Sequence, residues 1–111
     1  MRRGYNDWEF YYERVYDYMR GRLGEHNAVT ANIIERECGV PHTNGNSTLR
    51  RIISMVCDKY DIPIISNTNG YFVASTREEL MDYLLNLELR IKGIIERKDM
   101  LKRAFESYNN L

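Results

Sequence analysis

The chain has 111 residues, 43% of them hydrophobic and 29% charged, which fits one folded domain with an extension. Its 16 basic side chains balance 16 acidic ones, so the whole chain lacks the positive excess with which many DNA-binding domains neutralise phosphates. No run reaches the roughly 18 to 20 apolar residues that cross a bilayer, and residues 1–5 lack the apolar segment of a secretory signal. We therefore expect a cytoplasmic protein that does not engage membranes.

The first predicted helix begins near Asn6 or Asp7, either of which can cap it, and ends where Gly24 adopts a left-handed conformation. Its apolar residues recur at steps of three and four and form one broad aromatic face. This spacing favours packing against the core over an alternative role, a tyrosine surface on which bases stack. The face comprises Trp8, Tyr11, Tyr12, Val15, Tyr18, Met19 and Leu23.

A second, shorter helix follows, with Thr30 as its N-cap and Gly39 at its end. Its inward residues are Ile33, Ile34 and Cys38. Pro41 prevents direct continuation, and the polar residues 42–46 predict a turn. The cysteines are Cys38 and Cys57, each in an apolar helical pattern. Buried reduced thiols are therefore favoured over a disulfide or a redox pair.

The third predicted helix, capped by Asn46 or Ser47, has a clean buried stripe and a polar outer face. The stripe is Leu49, Ile52, Ile53, Val56, Cys57 and Tyr60, and the outer face is Thr48, Arg51, Ser54, Met55 and Asp58, with Arg50 on a flank. Residues 39–57 include two arginines and no acid, so the local field can be positive although the chain is neutral. Arginine and asparagine can each bridge two acceptor or donor positions on a base edge. The alternative is that the arginines only form a solvated face.

Two short β-rich segments, 61–66 and 71–75, predict a hairpin over residues 62–75, since the intervening Asn-Thr-Asn-Gly tolerates left-handed backbone. Pro63 lacks an amide donor and should lie at an edge or at the start of a strand. The tip of the hairpin would be formed by residues 67–69, which are polar and uncharged.

The order helix, turn, helix, hairpin resembles winged-helix DNA-binding proteins. The runs 49–53, 63–66 and 70–74 look like the small winged-helix proteins encoded by bacteriophages, over roughly residues 28–105. The resemblance implies a winged-helix domain at residues 1–75, with the third helix as the recognition helix and the hairpin as its wing. The predicted DNA-binding residues are Asn44, Asn46, Ser47, Thr48, Arg50, Arg51, Ser54, Asn67, Thr68 and Asn69.

Residues 76–111 predict a long helix that begins with a capping box, Thr76 and Glu79. Its apolar residues lie at alternating steps of four and three, the spacing of a coiled-coil seam, interrupted only by Lys98. The pattern favours dimerisation through this helix over folding back onto the first helix. The seam is Leu80, Leu84, Leu87, Ile91, Ile94, Leu101 and Phe105.

Together these features predict a mainly α protein with a small β-hairpin (α+β), which binds double-stranded DNA as a homodimer and regulates transcription or assists another DNA process. Dimerisation would present two recognition helices to two half-sites. The alternative is an adaptor of the same shape that binds a host protein without touching DNA. An enzyme is disfavoured, because His26 and His42 have no neighbours at metal-ligand spacing and Glu25, Glu35 and Glu37 should be solvated. No metal or cofactor is expected.

Overall fold

The computed structural model describes residues 3–110, with side chains from residue 8 onward. It is mainly helical with one antiparallel two-stranded hairpin, which confirms the α+β class. The elements are α1 (Arg3–Met19), α2 (Ala31–Cys38), α3 (Ser47–Tyr60), β1 (Ile64–Asn67), β2 (Gly70–Val73) and α4 (Arg77–Asn109). The chain divides into two compact units, Met1–Leu80 and Met81–Leu111, with the boundary inside α4.

Both predicted ends of the first helix were wrong. Helix α1 already includes Asn6 and Asp7, and it stops at Met19. Gly24, with φ 83°, lies beyond its end and precedes a 3₁₀ turn, Glu25–Asn27. The chain leaves the helix early because its backbone bonds to β2 instead: the amide of Gly24 donates to Val73 O at 2.8 Å.

Strand β2 has backbone partners on both of its edges. It pairs with β1 in a register that sets Ile64 opposite Val73 and Asn67 opposite Gly70, which leaves a two-residue turn. On its other side, Val29 and Tyr71 exchange two backbone hydrogen bonds of 2.9 and 2.8 Å. Pro63 is exposed and directly precedes β1, as its missing amide predicts.

The core lies between α1, α2, α3 and the hairpin. The predicted stripe of α3 is confirmed, since Leu49, Ile52 and Val56 are 0% exposed. At its far end the ring of Tyr60 stacks on that of Tyr16 in α1, with centroids 4.1 Å apart. The tyrosine face of α1 therefore packs largely inward, as helical spacing indicated. Trp8 and Leu23 stay outside the core, with 37% and 54% of their surface exposed.

Both cysteines are free; Cys38 is buried and Cys57 is half-buried. Burial raises the pKa of the Cys38 thiol to about 11, because an apolar surrounding disfavours the charged thiolate. At neutral pH this thiol stays protonated and acts as a small apolar side chain.

Helix α4 begins at the predicted cap, where the amide of Glu79 donates to Thr76 Oγ1 at 3.1 Å. The Glu79 carboxylate also makes contacts that the capping box did not predict. It accepts hydrogen bonds from the backbone amides of Ser75 and Glu25 at 2.8 and 3.1 Å. It thereby fixes the 3₁₀ turn to the first residues of α4.

The second unit is the remainder of α4, a continuous helix in which no described side chain is buried. Its predicted seam is open to solvent, with Ile94 67% and Phe105 70% exposed. Over residues 3–110, no helix combines the length and the apolar character that crossing a membrane requires.

Candidate functional site

The turn that leads into α3 is built around a buried carboxylate. Glu35 of α2 is only 5% exposed; it accepts a hydrogen bond from Asn46 Nδ2 at 2.8 Å, and its other oxygen lies 2.8 Å from His42 Nδ1. The sequence prediction that Glu35 is solvated was therefore wrong. The turn folds back over α2 and supplies the polar partners that a buried carboxylate needs.

These partners decide the protonation state of Glu35. Burial alone would raise its pKa, but the hydrogen bonds from Asn46 and His42, with the charge of His42, outweigh burial and lower the pKa below its usual value. Glu35 is therefore ionised at neutral pH, and it is held by two side chains of the turn that leads into α3.

The cap of α3 comes from an unpredicted residue. Asn46 occupies the N-cap position with φ 56° but makes no side-chain cap bond. Its side-chain Nδ2 instead donates to Glu35 Oε2 and, at 3.1 Å, to Asn32 Oδ1. Thr43 caps the helix instead, because its Oγ1 accepts from the Thr48 amide at 2.9 Å. The predicted cap at Asn46 or Ser47 was thus wrong at the side-chain level.

This network divides the predicted site residues on and before α3 into two groups. The side chain of Asn46 is held by α2, and the hydroxyls of Ser47 and Thr48 contact Thr43 at 3.0 and 3.1 Å. The residues that remain exposed are Asn44, Arg50, Arg51 and Ser54.

The two arginines lie on the outer side of α3 but in different surroundings. Arg50 lies over the turn, where a Cβ added to Gly45 would come within 3.7 Å of its guanidinium. The Arg51 guanidinium lies 5.6 Å from the ring centroid of Trp8 in α1. Neither arginine forms an ion pair with a carboxylate of residues 8–110.

The three predicted residues of the hairpin tip are all exposed. Asn67 Oδ1 accepts from the Asn69 amide at 2.8 Å and so closes the turn. The Asn69 side chain donates to Glu25 Oε2 at 3.3 Å, which places an acid beside the tip. Sequence reasoning missed this contact because the two residues are separated by 44 positions and no local pattern connects them.

A second unpredicted feature is an open cleft between α1 and α3, which we call the Trp8 cleft. It has a volume of about 660 Å³ and is lined by Trp8, Glu9, Tyr12, Arg51, Ser54 and Met55. Across its rim, Lys59 Nζ lies 2.7 Å from Glu9 Oε1. The sequence predicted Trp8 on the core face of the first helix and Met55 on the outer face of α3. No pattern in it indicated that the two side chains line one cleft.

Among residues 3–110, no three His, Cys, Asp or Glu side chains are grouped so as to hold a metal ion. No protein-family model matches the chain, and searches of curated proteins and of solved structures found no similar protein.

Proposed function

We propose that the protein binds double-stranded DNA through the outer side of α3, as a dimeric winged-helix regulator of the kind found in bacteriophages. The order of α2, turn, α3 and hairpin supports this proposal. So do the isolated backbone bridges from Leu23 and Val29 to β2, because they hold the hairpin against the segment that leads into α2.

The observation that carries the proposal is the pair Arg50 and Arg51. Both are exposed, both are on a helix whose opposite face buries Leu49, Ile52 and Val56, and neither is neutralised by a carboxylate of residues 8–110. A rigidly held helix with unpaired guanidinium groups on its outer side suits phosphate binding and guanine recognition.

The structure of the turn defines how α3 would make contact. The Thr48 amide is occupied by Thr43, so binding of a phosphate by this backbone amide is disfavoured. Contact would instead be made by the side chains of Arg50, Arg51, Ser54 and Asn44. A single copy would bind DNA weakly.

Dimerisation through α4 would offset this weakness, because two linked copies bind two half-sites in one event. The exposed seam of α4 supports a homodimer, since a bare apolar stripe of this length is costly in water. Lys98 is the charged position in the predicted seam, so it would favour one register of the two paired helices over others. Its ammonium lies 3.7 Å from the carboxylate of Asp99.

Fluorescence anisotropy with a labelled mixed-sequence duplex of about 30 base pairs, about three helical turns, tests the proposal at low salt. We expect Arg50→Ala/Arg51→Ala to weaken binding at least about tenfold and to reduce its salt dependence. The matched control is Arg36→Ala/Arg103→Ala, which removes the same charge from α2 and α4. Equal losses in both double variants would indicate only a general charge effect and would reject α3 as the DNA-binding element.

A protein-binding adaptor is the second candidate, favoured by the exposed Trp8 and Met55 and by the internal capping of α3. A pull-down from nuclease-treated bacterial lysate distinguishes the two functions. A stoichiometric partner that is lost with Trp8→Ala and kept with Arg36→Ala supports the adaptor. Retention by both variants, or no partner at all, counts against it.

A further inference from the structure

The Trp8 cleft has the size and composition of a small-molecule site. Its volume of about 660 Å³ lies within the roughly 300–1,000 Å³ typical of ligand pockets. Two of its large apolar side chains are partly uncovered, with 37% of Trp8 and 46% of Met55 exposed. Because both side chains line the same cleft, they offer one apolar surface to a ligand.

The apolar side of the cleft favours a planar ring. Trp8 and Tyr12 are tilted by 39° with centroids 6.3 Å apart, so they form two angled walls on α1. Met55 approaches from α3, and a thioether makes favourable contacts with aromatic rings. A flat aromatic group can therefore contact an indole, a phenol ring and a sulfur atom at once.

The charges of the cleft favour a single negative charge on that ligand. Glu9 is already paired with Lys59 at 2.7 Å, whereas Arg51 has no carboxylate partner among residues 8–110. Arg51 and Ser54 are three positions apart on α3 and therefore lie on one side of the helix. One guanidinium with one hydroxyl can hold a carboxylate through charge-assisted hydrogen bonds, and its single positive charge balances a single negative one.

We propose that the Trp8 cleft binds a small planar aromatic carboxylate. The ring packs between Trp8 and Met55, and the carboxylate accepts hydrogen bonds from Arg51 and Ser54. The site shares Arg51 and Ser54 with the proposed DNA-binding side of α3, so a bound carboxylate would compete with DNA there. The ligand is titrated without DNA, so its test can succeed or fail whatever the outcome for the function proposed above.

The test uses the full chain and the signal of Trp8 itself, because the sequence contains one tryptophan. Its indole N–H gives one side-chain peak in a ¹⁵N-correlated NMR spectrum. Indole-3-carboxylate is the probe, and indole-3-carboxamide is the neutral control of the same shape. We expect the carboxylate to shift the peak saturably, with a dissociation constant on the order of 1 mM or tighter, and the amide to bind about tenfold more weakly.

Variants assign the two halves of the site. Arg51→Gln should weaken the carboxylate about tenfold and abolish its advantage over the amide. Met55→Asn should weaken both probes to a similar degree, because it removes apolar contact and leaves the charge. The control Arg36→Gln changes an exposed arginine of α2 and should leave both affinities unchanged.

Three results would overturn the proposal: no saturable shift of the Trp8 peak, equal affinity for the two probes, or an unchanged carboxylate affinity in Arg51→Gln. Unchanged backbone amide spectra will show that each variant is folded, since Arg51 and Met55 are both exposed.

Discussion

Helix α3 and the distal part of α4 both carry apolar stripes, but the surroundings of the two stripes are opposite. In α3, Leu49 and Ile52 are 0% exposed, whereas Ile94 and Phe105 in α4 are 67% and 70% exposed. Helical periodicity therefore identifies which side chains are suited to burial, but not which part of the molecule buries them. For α3 the cover is the chain's own α1 and hairpin, and for α4 we propose a second copy.

The largest expected effect follows from the difference in burial. Leu49→Ala should lower the free energy of unfolding by about 2–5 kcal/mol, because it removes buried methyl groups and leaves a cavity. Leu85→Ala, a change of the same size on α4 at a position outside the seam and 55% exposed, should change it by less than about 0.5 kcal/mol. Urea denaturation followed by circular dichroism measures both, and similar losses would contradict the contrast between the two helices.

The second prediction tests whether the α4 seam is covered by a second copy. Ile94→Asp should weaken self-association at least about tenfold, since a carboxylate in an apolar seam costs more than about 1.4 kcal/mol. The control Leu89→Asp introduces the same charge at a position that is 57% exposed and outside the seam. Sedimentation velocity over a range of concentrations measures both; a wild type that stays monomeric would refute the dimer.

The third prediction concerns the carboxylate that connects α2 to the start of α3. Glu35→Gln removes the charge from its hydrogen bonds with Asn46 and His42 and should cost about 1–3 kcal/mol of unfolding free energy. The exposed neighbour Glu37, changed to Gln, is the control and should have little effect. Equal thermal stability of the two variants would show that the charge of Glu35 contributes nothing to the stability of the fold.

Glu35 also predicts a dependence on acid. Because its folded pKa lies below the usual value of 4.5, ionised Glu35 stabilises the fold at any pH above 4.5, and this contribution is lost as pH falls through the lower folded pKa. Glu79 acts in the same direction, since hydrogen bonds from the Ser75 and Glu25 amides lower its pKa. Wild type should therefore lose stability below about pH 4.5 more steeply than Glu35→Gln.

The smallest predicted effect is at the junction between the folded unit and α4. Thr76→Ala removes the hydroxyl that caps the helix and should cost about 1 kcal/mol. Thr76→Ser retains the hydroxyl and is the matched control. If the serine variant loses as much stability as the alanine variant in urea, the cap is not what fixes the start of α4.

Local signals in the sequence predicted the local features correctly. Thr30 and Gly39 are the N-cap and C-cap of α2, as expected. The predicted hairpin turn has two residues between Asn67 and Gly70, and Thr76 caps α4. In each of these cases the residues that make the contact lie within a few positions of one another, so the pattern and the contact coincide.

Apart from the start of α1, which lies before Asn6, the wrong predictions involve a partner outside the local pattern. Gly24 does not end α1 because its backbone amide donates to Val73 O in β2, about fifty residues later. Glu35 is buried because the turn after α2 folds over it. The Asn46 side chain donates to that carboxylate and so does not cap α3. Periodicity and capping rules contain no information about such distant competitors, and the Trp8 cleft, assembled from α1 and α3, was missed for the same reason.

The base of the hairpin has a mechanical consequence. Gly70, at φ 125°, passes so close to Val29 that any Cβ would collide with the Val29 carbonyl, and the amide of Thr30 is next to it. Only glycine at this position lets strand β2 lie against the residues before α2, where Val29 and Tyr71 exchange two backbone hydrogen bonds. We therefore expect tilting of the hairpin to pull on the start of α2, the helix that precedes α3.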